Sequence, residues 1–270
     1  MPKKPTRSLS SSKGIRTLAV DIGGTGIKAL VLDEKGSPLT ERQRIPTPQP
    51  ATPEAVVKVI QKLGKSQGAF DRVSVGFPGV IRCGVVSTAP NLDPSWGGFG
   101  LTDTLSKRLG KPVRSANDAD VQGFGAIKGK GVELVVTLGT GFGSALFVDG
   151  CLVPNLEIAH HPFRSQKTYE DELGVAALGK IGKKKWNQRL AKAFQSLEAL
   201  FNYDVLYIGG GNAKKLSIPL ASNQKVIPNI AGLLGGIAFW NMDNPKKVKP
   251  PRIPQSSRSE NPKPPKKKRR

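Results

Sequence analysis

The sequence predicts an α/β protein built from two related halves. Three observations carry this. Strand-like and helix-like stretches alternate along the chain, the pattern of layered α/β architecture. A strand, a glycine turn and a second strand near the start return 116 positions later: Val20 falls on Val136, Gly23 on Gly139, Ala29 on Ala145, Leu30 on Leu146 and Asp33 on Asp149. Both glycine turns also carry residue types that grip phosphate. Two such hairpins facing one another across a cleft suit a phosphoryl donor, because positioning and charge stabilisation supply most of the catalysis in phosphoryl transfer.

The first hairpin is Ala19-Val-Asp-Ile-Gly-Gly-Thr-Gly-Ile-Lys28, with strands at Thr17–Ile22 and Ile27–Asp33. Gly23, Gly24 and Gly26 let backbone N–H groups approach phosphate oxygens with no Cβ in the way. Thr25 adds a hydroxyl, Asp21 can hold a metal-bound water, and Lys28 can offset charge. Taken alone, the same residues also suit a plain tight turn between two strands.

A third strand is expected within Pro38–Ile45. Thr52-Pro53-Glu54 opens a helix to about Leu63, with proline in its first turn. Arg72–Gly76 is a buried strand, Gly76-Phe-Pro-Gly79 a rigid turn, and Ala89–Gly100 a long glycine-rich loop. The second half is expected from about Ser115, with a helix over Asp118–Lys128. Strands at Glu133–Leu138 and Ser144–Val148 then flank the second turn, Gly139-Thr140-Gly141. Trp186, Leu190, Phe194, Leu197 and Phe201 recur at helical spacing, leaving Lys184, Lys185, Arg189 and Lys192 on a face read as solvated. Asp204–Ile208 is a strand ending in Gly209-Gly-Gly211, and Ile230–Trp240 is a last helix. Asp118 opens its helix, where an acid serves equally well as an N-terminal cap or, in a cleft, as a general base.

At 270 residues the chain can bury one large or two small cores. Its longest apolar runs fall short of the ~20 residues of a membrane span. Cys83 and Cys151 provide neither a disulfide framework nor a four-cysteine metal site. The N-terminus lacks the apolar core of a secretory signal, so a reducing cytoplasm is expected. The net charge of +22 is concentrated at the ends. Residues 1–16 hold five Lys or Arg and no acid, and residues 245–270 hold eleven against Glu260. Both ends, 1–16 and 242–270, are rich in Pro, Ser and Lys and read as disordered arms for a polyanion.

Asp21-Ile-Gly-Gly-Thr-Gly-Ile-Lys28, Gly76-Phe-Pro-Gly79, Asn117-Asp118, Leu138-Gly-Thr-Gly-Phe-Gly-Ser-Ala145, Glu157-Ile-Ala-His160 and Ile208-Gly-Gly-Gly211 together resemble the ROK family of sugar kinases, and within it the polyphosphate glucokinase branch. The likeness runs over about residues 17–241. It implies the two-lobed actin-like ATPase (ribonuclease H-like) fold with an interlobe cleft. The lobes would be 17–114, joined by the final helix 229–241, and 115–228. It implies Asp118 as general base toward glucose, with Asn117, Glu157 and His160 on the sugar, Glu170 as a further sugar contact that Asp171 contests by one place, and Asn91 as a sugar contact or turn-former.

The donor would lie on the two glycine turns, with Mg²⁺ as cofactor, and Gly209, Gly210 and Gly211 would cradle a nucleotide or merely turn a strand. Inorganic polyphosphate, ATP or both could donate, and a homodimer is expected, with no membrane partner and no specific nucleic acid. Many members bind structural zinc through a Cys-rich segment after the Glu-x-x-His motif. Pro162–Asp171 has no cysteine, so no protein metal site is assigned and His160 is assigned to sugar. A strictly ATP-dependent glucokinase or glucomannokinase, and a non-catalytic sugar- or nucleic-acid-binding regulator, remain as alternatives. No meaning is evident for Arg82-Cys83.

Overall fold

The computed structural model describes residues 14–228 and 231–241, so the two basic arms, apart from residues 14–16, lie outside the described residues. In the N-terminal part, β1 (Thr17–Ile22), β2 (Ile27–Leu32) and β3 (Gln43–Ile45) precede α1 (Pro53–Gln67) and β4 (Arg72–Phe77). A small hairpin of β5 (Ile81–Arg82) and β6 (Val85–Val86) leads to α2 (Leu101–Leu109), β7 (Val113–Asn117) and α3 (Asp118–Phe124). The sheet order is β3-β2-β1-β4-β7, with β1 and β2 antiparallel and β4 and β7 parallel to β1. β7 therefore belongs to the first sheet, and the expected boundary near Ser115 moves past Asn117.

The second part comprises β8 (Val132–Leu138), β9 (Phe142–Val148), β10 (Cys151–Val153), the two-stranded β11 (Pro162–Arg164) and β12 (Lys167–Thr168), α4 (Tyr169–Leu173), α5 (Val175–Phe201), β13 (Val205–Gly209) and β14 (Gln224–Val226). Its sheet order, β10-β9-β8-β13-β14, repeats the first: an antiparallel hairpin with an extra antiparallel edge strand on one side and two parallel strands on the other. The duplication read from the sequence is thus a duplication of topology. Its register needs one correction. The first turn spans Gly23 to Gly26, closed by Gly23 N–H donating to Gly26 O at 3.1 Å, whereas Gly139 N–H donates to Gly141 O, also at 3.1 Å. The second turn is one residue shorter and β9, with 7 residues, is one longer than β2, with 6. Ala29 and Leu30 are therefore equivalent to Ser144 and Ala145; because side chains alternate across a strand, a constant shift would have put them on the wrong face.

Apolar burial explains each layer. Leu18, Val20 and Ile22 on one face of the first sheet pack with Val56, Val57, Ile60 and Leu63 of α1 and Leu105 of α2. On the opposite face Ala19, Leu30 and Leu32 meet Ile237 of α6 (Ala231–Ala238). In the second part Leu134, Val136, Leu206 and Ile208 pack against Trp186, Leu190, Phe194 and Leu197 of α5, the helical stripe read from the sequence. α6 also lies on α3 so closely that a Cβ on Gly235 would stand 1.7 Å from Val121 O. Trp240, just beyond, has the guanidinium groups of both Arg72 and Arg114 over its ring, at 4.9 and 4.7 Å, and its indole N–H donates to Ser74 Oγ at 2.8 Å.

Several boundaries differ from expectation, each for a local reason. α1 runs past Leu63 because Gln67 is buried and its amide donates to Ala29 O and Glu41 O, at 3.3 and 3.0 Å. β3 shortens to three residues because Thr40 Oγ1, accepting from Val31 N–H, replaces ladder bonding upstream. α3 stops at Phe124 because the following backbone wraps the buried Glu133 carboxylate, which accepts from the N–H groups of Lys128, Gly129 and Lys130. The Ala89–Gly100 loop is anchored by Trp96, fully buried 4.8 Å from Phe77. Cys83 (φ 49°) and Gly84 (φ 80°) are the two central residues of the β5–β6 hairpin turn, which accounts for Arg82-Cys83. No described helix is long and apolar enough to cross a membrane.

Candidate active site

The residues of both halves converge on one cleft between the two glycine turns. Gly23 and Gly24 border it from the first sheet, Gly139, Thr140 and Gly141 from the second. Pro78 and Gly79 of the rigid turn line it too, with the polar side chains of Asn91, Asn117, Asp118, Thr137, Glu157, His160 and Glu170. Eleven of the sequence-selected residues thus come together although they lie as far apart as Gly23 and Glu170.

The other selected residues lie outside that lining. Lys28 Nζ pairs with Asp21 Oδ2 at 2.8 Å. Thr25 O accepts from Arg44, whose guanidinium fills the space a Cβ on Gly26 would need, 2.4 Å away. These residues shape and charge the first turn from behind. Gly210 (φ 88°) lies against Leu138, and the adjoining Asn212 donates from Nδ2 to Gly139 O at 2.8 Å. The Gly209–Gly211 turn therefore buttresses the second glycine turn.

Of the two residues that open α3, Asn117 and not Asp118 is the cap. Asn117 is the cap of α3, its Oδ1 accepting from Ala119 N–H at 2.8 Å, and Asp118 is the first helical residue. Asn117 also reaches into the cleft, donating from Nδ2 to Gly79 O at 3.2 Å and to Glu157 Oε1 at 3.4 Å. Burial pushes the Asp118 carboxyl up to about 7, assisted by the negative charge of Asp21 and, less, of Glu157, against the hydrogen bond from Ala119 N–H. A carboxylate of that proton affinity is suited to accept a proton near neutral pH.

Asp120 was missed by sequence reasoning. It is buried on α3, and desolvation together with the charges of Glu157 and Asp118 raises its carboxyl to about 8. An acid two places after Asp118, on the inward side of the same helix, was the available signal.

The remaining polar residues of the cleft hang on β9 and α4. Ser144 Oγ donates to Leu156 O at 2.9 Å and accepts from Ile158 N–H at 3.3 Å, fixing the turn that carries Glu157. His160 Nε2 is 3.8 Å from Glu157 Oε2. Burial, then the neighbouring Glu170, raises the Glu157 carboxyl, and His160 opposes the shift. The structure separates Glu170 from Asp171. Asp171 closes a capping box, accepting from Thr168 N–H and Oγ1 while its own N–H donates to Thr168 Oγ1. Glu170 faces the cleft, its Oε2 so close to Gly141 that a Cβ there would stand 2.3 Å away. Gly141 is thus the contact point between Glu170 and the second glycine turn.

This fold and cleft define a kinase-type enzyme of the actin-like ATPase class. The profile of the ROK family matches residues 17–154, and the chain belongs to that family. It is 35% identical over 237 residues to the polyphosphate glucokinase of Mycobacterium tuberculosis, covering 80% of this chain and 88% of that protein. It is 32% identical over 247 residues to the polyphosphate glucokinase of Mycobacterium leprae, covering 86% and 76%. Among solved structures, the inorganic polyphosphate/ATP-glucomannokinase of Arthrobacter sp. strain KM superposes with a TM-score of 0.78 at 35% identity, covering 85% of this chain and 99% of that one. The ROK glucokinase of Streptomyces griseus, solved with glucose and AMPPNP, shares the fold with a TM-score of 0.68 at 22% identity, covering 83% and 98%.

Proposed function

We propose that the chain is a polyphosphate-dependent glucokinase, transferring a phosphoryl group from inorganic polyphosphate, and less readily from ATP, to the 6-hydroxyl of glucose. The observation that carries the reading is Asp118: a carboxyl of raised proton affinity at the junction of the two glycine turns with Asn117, Glu157, His160 and Glu170. The relatives' printed activities supply the sugar and the donor. Asp118 takes the hydroxyl proton as the oxygen attacks. Asn117 and His160 donate to sugar hydroxyls and Glu157 and Glu170 accept from them, fixing the sugar against that base. The N–H groups of Gly24, Thr140 and Gly141 receive the donor oxygens, while those of Gly23 and Gly139 close the two turns that present them. Asn91, beside Pro90 in the lining, is a further sugar contact, and Gly209–Gly211 would meet a nucleotide only through the turn they buttress.

Mg²⁺ is the expected cofactor, and the donor set fits it. Among the described residues no cluster of three or more His, Cys, Asp or Glu could form a protein cage. Mg²⁺ instead binds one or two carboxylates with waters and substrate phosphates, and Asp21, close enough for its charge to raise Asp118, is positioned to hold it beside the first turn. When bound it would neutralise charge on the transferred group. Incubating the protein with glucose and Mg²⁺, with polyphosphate or ATP in turn, should yield glucose 6-phosphate; no product with any donor removes the proposal.

A further inference from the structure

A groove runs along α5 at Lys184, one residue of the face read from the sequence as solvated. Lys183, Lys184, Asn187, Gln188, Ser217 and Ile218 line it. Its two walls are tied by the buried Asn187, whose Nδ2 donates to Lys183 O at 2.9 Å and to Lys215 O at 3.1 Å, while its Oδ1 accepts from Ser217 N–H at 2.7 Å. That brace brings a second lysine pair, Lys214 and Lys215, beside Lys183 and Lys184. Among the described residues no ion pair includes any of these four, whereas Lys28, Arg108, Arg164, Lys167 and Arg189 each hold a carboxylate. Glu198 is the only acid in the whole of α5. Concentrated cationic charge without acidic partners repels itself and attracts polyanions.

The groove is also connected to the second glycine turn on both walls. Val175 N–H, opening α5, donates to Thr140 O at 3.0 Å, and Lys183 follows it by eight residues, just past the non-helical Gly182 (φ 74°) that kinks the helix. On the other wall Asn212 donates to Gly139 O, and Lys214 follows it by two residues, about 7 Å of chain. We propose that this lysine groove is a subsite for the distal phosphates of a long inorganic polyphosphate whose end lies at the glycine turns. The inference rests on the polyphosphate-donor reading. A donor of three phosphates has no distal chain to reach the groove, so the subsite discriminates by chain length, holding the polymer while its terminal group is transferred.

The test compares the full chain with its Lys183→Gln/Lys184→Gln/Lys214→Gln/Lys215→Gln variant and with the matching four Lys→Arg changes, checking each by thermal melting. Rates at saturating glucose are measured with long-chain polyphosphate, tripolyphosphate and ATP over a salt series. Direct binding of long-chain polyphosphate and of a single-stranded DNA oligonucleotide is measured in parallel. The glutamine variant should raise the long-chain KM at least about tenfold at low salt and flatten its dependence of log KM on log salt by about 3, four charges at roughly 0.7 each. The arginine variant should behave as wild type, and tripolyphosphate and ATP should change less than about twofold, since fewer phosphates reach the groove.

An unmoved long-chain KM and salt slope overturns the proposal, as does a loss confined to DNA binding, which would assign the groove to nucleic acid. Should the wild type fail to phosphorylate glucose with each of these donors, the kinase reading fails on that result. Direct polyphosphate binding then still decides the subsite: weaker binding by the glutamine variant supports it and equal binding removes it.

Discussion

Asp118→Asn separates what the carboxylate does for the reaction from what it costs the fold. The folded chain holds the Asp118 proton up to about 7, against an ordinary value of 3.8. That difference of about 3 units corresponds to about 4 kcal/mol of linkage at ~1.36 kcal/mol per unit, an upper figure because the half-buried carboxylate keeps some water on its cleft side. The sign follows from proton binding. Between the two values the folded state binds more protons than the unfolded one, so this contribution is fully present at low pH and is lost as pH rises through about 7. Asparagine does not titrate, so the variant escapes the loss.

From about pH 5.5 to pH 8.5 the variant should gain about 2 kcal/mol on the wild type. For a chain of this size that is about 4–8 °C in relative Tm. Melting both proteins without substrate near pH 5.5 and pH 8.5 reads this directly. Turnover should fall by roughly 10²–10⁴ because the amide cannot accept the hydroxyl proton, while glucose affinity stays within a few-fold. The wild-type kcat/KM should rise with pH up to about 7 and then level. Undiminished turnover in the variant refutes the general-base role, and the same Tm offset at both pH values refutes the burial argument.

Glu170→Gln should raise the KM for glucose about tenfold, the loss of a hydrogen bond to a charged acceptor worth roughly 1.5–3 kcal/mol, and leave the KM for the donor nearly unchanged in initial-rate assays. Asp171→Ala should do the reverse of a sugar-site change: glucose KM stays within twofold while the lost capping box costs about 1 kcal/mol in thermal or urea unfolding. If Asp171→Ala alone weakens glucose, the assignment of the two acids is wrong. Gly235→Ala drives a methyl group into Val121 O on the helix that begins with Asp118. It should destabilise the protein by about 1–3 kcal/mol or more and lower kcat, and a melting temperature equal to wild type would show that α6 does not pack on α3 in solution.

The sequence by itself determined the α/β class and the duplicated hairpin, which are written in local grammar, and its resemblance to the sugar-kinase family singled out most of the cleft. Glycines mark backbone that must approach a ligand, period-two and period-3.6 apolar runs mark strands and the α5 stripe, and Asn117-Asp118 and Glu157-x-x-His160 are short enough to read as units. It did not show α2, whose nine residues between Gly100 and Gly110 bury only Leu101 and Leu105, nor that β7 completes the first sheet. Such short elements take their stability from packing and not from pattern.

Only the tertiary structure decided matters that depend on distant partners. The one-residue slip between the hairpins shows in cross-strand pairing and in no single strand. Glu170 and Asp171 are adjacent acids whose assignment stays open by one place until Thr168 claims one and the cleft the other. The raised proton affinities of Asp118 and Asp120 come from burial and from the charges of Asp21 and Glu157, which only folding brings near. The lysines of α5 likewise look like any solvated face until Asn187 ties them to Lys215, because the charge density of a surface is set by which segments the chain brings together.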